Sequence, residues 1–112
     1  MRLDIDRIEE LFVQLGDRAA EDVVCRGLEE MAARLTHVER CYRQQRPREM
    51  RKTARGLGLV AEQLGMTLVA RVARSVIACS EAGDGVALSA TLARLLRIAE
   101  RSLTEFWDGR LA

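Results

Sequence analysis

The chain has 112 residues, enough for one domain with a single core; 48% are hydrophobic but only 4% aromatic, so that core must be aliphatic. A formal charge of +1, from 18 basic and 17 acidic side chains, excludes the strong basic excess of most nucleic-acid binders. No run approaches the ~18 apolar residues of a membrane span, and the charged start Met1-Arg2-Leu3-Asp4-Ile5-Asp6 lacks the apolar region of a signal peptide, so a cytoplasmic protein is expected, with neither nucleic acid nor membrane as partner.

A single proline and abundant charge point to an all-helical chain, with residues 1–112 as one domain. A short helix is expected over about residues 4–15, with Asp4 near its N-cap and Gly16 at its stop. The next runs from about Asp17 to Gln45. Its apolar positions Val24, Leu28, Met31, Leu35, Val38 and Tyr42 alternate spacings of four and three, which makes one core-facing seam. Pro47 breaks the chain and suits the first turn of the following helix, where Met50, Ala54, Leu57, Ala61 and Leu64 repeat the spacing until Gly65. A further helix spans about Thr67 to Ala82, with Leu68, Val69, Val72, Val76 and Ile77 inward. Gly83-Asp84-Gly85 forms a turn in which Asp84 or Gly85 can cap the last helix, about Val86 to Asp108. Leu88, Leu92, Leu95, Ala99, Leu103 and Phe106 face the core there. Connections this short make successive helices antiparallel neighbours. The expected architecture is an antiparallel up-down-up-down four-helix bundle with a short N-terminal helix.

Few side chains in this chain suit chemistry. There is no Gly-rich phosphate loop, and His37 is the only histidine, so no triad can form and the chain reads as non-enzymatic. Cys25, Cys41 and Cys79 are scattered without a CxxC pair and read as small buried hydrophobes. One histidine and no cysteine pair leave too few soft ligands for a conventional metal centre, so neither a metal nor another cofactor is expected. Residues 40–55 hold seven basic side chains (Arg40, Arg43, Arg46, Arg48, Arg51, Lys52 and Arg55) against one acid, Glu49. Such a cluster is either a solvated end of the molecule or a dock for an acidic surface. Lys52 is the only lysine in the chain, an arginine bias that fits a high-GC bacterial genome.

Residues 50–65 read Met50-Arg51-Lys52-Thr53-Ala54-Arg55-Gly56-Leu57-Gly58-Leu59-Val60-Ala61-Glu62-Gln63-Leu64-Gly65. This segment resembles the signature helix of histidine-containing phosphotransfer (HPt) domains, whose pattern is Ala-His-x-Leu-Lys-Gly followed by Leu-Gly. Ala54, Leu57, Leu64 and Gly65 fall in register. Arg55 takes the place of the phosphoacceptor histidine, and Gly58-Leu59 replaces Lys-Gly. Leu68-Val69-Ala70-Arg71-Val72-Ala73 and the turn Glu81-Ala82-Gly83-Asp84 are similar to the helix and turn that follow in that family, so the resemblance covers about residues 17–107. It implies the four-helix bundle and a place in bacterial two-component phosphorelays. A guanidinium stays protonated (pKa above ~12) and is no nucleophile, so phosphotransfer at Arg55 is ruled out.

The resemblance therefore implies an interaction module that binds a response-regulator receiver domain or a sensor kinase. Its expected contact surface is the stripe Arg51, Arg55, Gly58 and Glu62 with the neighbouring Arg48 and Lys52. Arginine there suits carboxylate or phosphoryl oxygens through bidentate contacts. Gly56 and Gly58 serve either close helix packing or the approach of a partner backbone. Two alternatives stand beside this one. His37, nine residues before the turn at Arg46 where Arg55 is nine after it, could share Arg55's height and act as a relocated phosphoacceptor. Otherwise the chain is a structural helical homodimer through the Phe106-Trp107 end.

Overall fold

A computed structural model describes residues 6, 8–10, 13 and 16–111. Among them only helix and the turns between helices occur: α1 (Asp17–Arg43), α2 (Pro47–Gln63), α3 (Thr67–Glu81) and α4 (Gly85–Leu111). Asp6, residues 8–10 and Val13 are also helical. The rest of the expected 4–15 helix, and the Trp107 side chain, lie outside the described residues. No helix among the described residues is long and apolar enough to cross a membrane.

The three connections share one construction. After α1 the backbone N–H of Gln45 donates to the Tyr42 carbonyl and that of Arg46 to the Cys41 carbonyl. Gly65 and Met66 bond Glu62 and Ala61 in the same pattern after α2, and Gly83 and Asp84 bond Ser80 and Cys79 after α3. This is the Schellman motif, in which a left-handed residue just past the helix turns the last amides back onto orphan carbonyls. Gly65 (φ 73°) and Gly83 (φ 70°) take that conformation without strain, whereas Gln45 (φ 57°) must hold a Cβ there. In each case the next residue is already the N-cap of the following helix. Pro47 opens α2 where its missing N–H costs nothing, and the Asp84 carboxylate accepts the Ala87 N–H (3.0 Å) to cap α4.

Reversals this tight lay each helix antiparallel along the one before it. The Gly27 backbone meets the Leu64 side chain, Arg34 lies over Gly56, and His37 reaches Glu49, so α1 and α2 run in opposite directions. Arg51 with Ser80, Gly58 with Ala73, and Glu62 with Arg74 show the same for α2 and α3. α4 packs on α3, while α1 and α4 touch over only a short stretch. The molecule is 44 Å long, close to the ~40 Å of a 27-residue helix.

The core is aliphatic, with Leu28, Met31, Met50, Leu57, Met66 and Leu95 as its largest fully buried members. All five expected α2 positions are buried, as are Val69, Val72 and Val76 of α3 and Leu92, Leu95 and Ala99 of α4. Leu68, Ile77, Leu88, Leu103 and Phe106 pack half-buried around them. The α1 seam needs one correction. It ends on Cys41, which is 1% exposed, and not on Tyr42, which is 37% exposed. Cys41 lies on the side of α1 that faces Glu49 of α2, whereas Tyr42 borders an open groove that it shares with Pro47 and with Leu88 of α4. α1 also stops at Arg43, two residues before the expected Gln45.

Replacing Gln45 by Gly should stabilise the fold by about 0.5–1 kcal/mol, because the left-handed penalty outweighs the entropy that glycine adds to the unfolded chain. Gly65→Ala should cost about 1–2 kcal/mol at the equivalent place. Urea unfolding of the two variants checks both signs.

Candidate functional site

The stripe on α2 is divided between partners within the fold and open surface. Arg51 is half-buried and donates from Nη1 to Ser80 Oγ (3.0 Å), which ties the start of α2 to the end of α3. Glu62 is ion-paired with Arg74 of α3. Arg55, Arg48 and Lys52 are exposed, and none of them pairs with an acidic side chain among the described residues. Arg55 thus stands free between two residues that anchor α2 to α3.

Beside Arg55 a groove of about 280 Å³ runs between α2 and α3. Gly58 forms its floor, Leu59 and Ile77 its apolar walls, and the Glu62–Arg74 pair its far end. Leu59 is 58% exposed although it is a large aliphatic side chain. Its position on the Arg55 side of α2 was legible in the spacing, but its exposure depends on how α3 packs.

The two glycines of this helix have different surroundings. A Cβ on Gly56 would lie 2.2 Å from Arg34 Nη1, so Gly56 makes room for a guanidinium that also pairs with Glu30. A Cβ on Gly58 would lie 3.7 Å from Ala73 Cβ and 3.8 Å from the Ala70 carbonyl oxygen, both ordinary contacts. The Arg34 contact is with the far end of a flexible, partly exposed side chain that can move aside, so helix packing demands glycine at neither 56 nor 58. Since glycine in a helix interior costs up to ~1 kcal/mol against alanine, Gly58 is a loss to stability that keeps the groove floor open.

His37 is elsewhere. Its Nε2 is 3.2 Å from Glu49 Oε1 and 3.5 Å from Cys41 Sγ. Glu49 precedes Arg55 by six residues, about 9 Å along the axis, and faces α1 where Arg55 borders the α3 groove. The structure therefore does not bring His37 and Arg55 together. Glu49 also takes Arg46 Nη1 on its other oxygen (3.5 Å). The hydrogen bond from His37 is the main cause holding the Glu49 carboxyl below the ordinary glutamate range. Burial, with help from the Glu49 charge, pushes the Cys41 thiol up.

Glu49 is the only acid within residues 40–55, and His37 and Arg46 already engage it. Arg40 and Arg43 in the last turn of α1 favour its negative dipole end. Together with Arg48, Lys52 and Arg55 they concentrate basic side chains around the α1–α2 turn despite the near-zero net charge. Comparison with protein-family models, with curated proteins and with solved structures finds no match.

Gly58→Ala should raise stability by about 0.5–1 kcal/mol, which thermal unfolding would register as a higher Tm. The Glu49 interaction has a definite pH signature. A carboxyl held low in the folded state stabilises above the ordinary glutamate pKa, and that contribution disappears as the pH falls through the depressed value. NMR titration of the Glu49 carboxyl should show its midpoint rising in His37→Gln.

Proposed function

We propose that this chain is an HPt-like signalling module of a bacterial two-component phosphorelay that binds a receiver domain or kinase and does not transfer phosphate. In this reading the helices close into the antiparallel up-down-up-down four-helix bundle of HPt domains, with the short N-terminal helix as an extension. The observation that carries the reading is Arg55 itself. It occupies the position of the family's histidine, exposed and unpaired, beside a groove whose glycine floor the packing does not require.

The surface has complementary parts for such a partner. A receiver's active site is a carboxylate cluster, and a guanidinium can bind carboxylate or phosphoryl oxygens with two parallel bonds. Leu59 and Ile77 supply an apolar patch beside it, and Arg48 and Lys52 supply long-range attraction. Arg51 and Glu62 contribute by holding α2 against α3, so that Arg55 is presented on a fixed frame. The module would act by occupancy, competing for a surface that an active HPt domain would use.

The alternative in which His37 accepts the phosphoryl group has less support. Its Nε2 faces the Glu49 carboxylate, which would repel an incoming phosphoryl group, and it lies away from the groove. A homodimer unrelated to phosphorelay remains a third reading, and light scattering coupled to size exclusion separates it from a monomeric adaptor.

Arg55→Glu should weaken binding to an acidic receiver domain of the host by at least about tenfold, about 1.4 kcal/mol, measured by titration calorimetry at two salt concentrations. Wild-type binding should weaken as salt rises, because the contributing charges are solvent-exposed. Equal affinity in wild type and Arg55→Glu would remove this surface from the interface.

A further inference from the structure

His37, Cys41 and Glu49 form a cluster that the phosphorelay reading does not use. Their donor atoms, one nitrogen, one sulfur and one oxygen, all lie within 4.8 Å of one another. His37 and Cys41 sit four residues apart on α1, which puts both on one face of the helix, and Glu49 comes from the first turn of α2. From this geometry we infer that the α1–α2 turn carries a transition-metal site, with His37 Nε2, Cys41 Sγ and Glu49 Oε1 as ligands and zinc(II) as the best-matched ion. The inference does not depend on the phosphorelay reading.

The distances favour a tetrahedral ion. Zinc bonds of about 2.0 Å to nitrogen, 2.3 Å to sulfur and 2.1 Å to oxygen, set at tetrahedral angles, separate the ligands by about 3.4 Å (N to O) and about 3.5 Å (N to S). The observed separations are 3.2 Å and 3.5 Å. The third separation, sulfur to oxygen, is wider, within 4.8 Å against about 3.6 Å at a tetrahedral ion, so the partly exposed Glu49 side chain would swing Oε1 inward as the ion binds. Three protein ligands leave a fourth position for water, the arrangement of open zinc sites. A mixed imidazole, thiolate and carboxylate set suits zinc and its neighbours, not magnesium or calcium, which prefer oxygen alone.

The surroundings supply what such a site needs. The His37 and Glu49 side chains are 39% and 45% exposed and give the ion a path from solvent. Cys41 is buried, which fixes its sulfur from below. Arg46 binds the second Glu49 oxygen and leaves Oε1 turned toward the histidine, the usual outer-shell role of orienting a carboxylate ligand. When the ion binds, the Cys41 S–H bond breaks, its proton passes to solvent and a metal–sulfur bond replaces it. The coordinated ion would clamp α1 to α2 across the turn where Gln45 holds its left-handed conformation.

Titration of the metal-free full chain with zinc(II), followed by calorimetry, should show one equivalent binding. Cobalt(II) should give the thiolate charge-transfer band and the intense visible bands of a tetrahedral thiolate-bound ion. His37→Gln and Glu49→Gln change only partly exposed side chains and should each weaken binding by at least about tenfold. Cys41→Ser, with its fold verified by circular dichroism, should abolish the charge-transfer band, while Cys25→Ser and Cys79→Ser should leave it intact. Zinc should raise the Tm of wild type and not that of His37→Gln, because only an ion bound to the native site stabilises the fold. Absence of stoichiometric binding would overturn the assignment. So would binding that survives His37→Gln and Glu49→Gln, or a charge-transfer band that follows Cys25 or Cys79.

Discussion

A single left-handed residue reverses the chain after each of the first three helices, and the register of the interhelical contacts follows from it. Gln45, Gly65 and Gly83 each turn two amides back onto the preceding helix, and the next residue already begins the new one. No slack remains for a helix to slide along its neighbour. The seams then meet at matching heights: Met50 under the end of α1, Gly58 against Ala73, Cys79 near Thr91. Side-chain entropy is spent on few polar contacts, because the aliphatic core and the turns already determine the arrangement.

The same reversals divide the surface of α2 into two flanks with separate chemistry. The flank toward α1 holds Glu49 and Gly56, which receive His37 and Arg34. The flank toward α3 holds Arg51 and Glu62, which are bonded to Ser80 and Arg74, and between them the unpaired Arg55. Fixing α2 on both sides presents Arg55 and Leu59 without the ordering cost that a mobile surface would carry into binding. Glu49 is the only acid within residues 40–55, and it is engaged by His37 and Arg46.

Much of the helical layout was legible in the sequence because aliphatic spacing and Gly or Pro punctuation agree with each other. Met50, Ala54, Leu57, Ala61 and Leu64 are buried as their spacing requires, and Gly65 and Gly83 stop their helices where expected. Gln45 hid its role because a glutamine carries no turn signal. Tyr42 was misassigned to the seam because periodicity shows which side of α1 is apolar but not where a neighbouring helix stops covering it. The His37-x-x-x-Cys41 spacing was visible, but two ligands on one helix are weak evidence, and Glu49 joins them only through the register of α1 on α2. The groove beside Arg55 was foreshadowed by Gly58, yet whether packing needed that glycine depended on the positions of Ala70 and Ala73 on another helix.

The most direct measurement is an NMR titration of the ¹⁵N-labelled chain with receiver domains of its host. The expected result is saturable amide shifts concentrated on Arg55, Gly58 and Leu59 of α2 and on Arg74 and Ile77 of α3, with the α1 face around Val23 and Glu30 unchanged. Shifts confined to another face, or no shift with any receiver, would contradict the assignment of this groove as the docking surface of an HPt-like module.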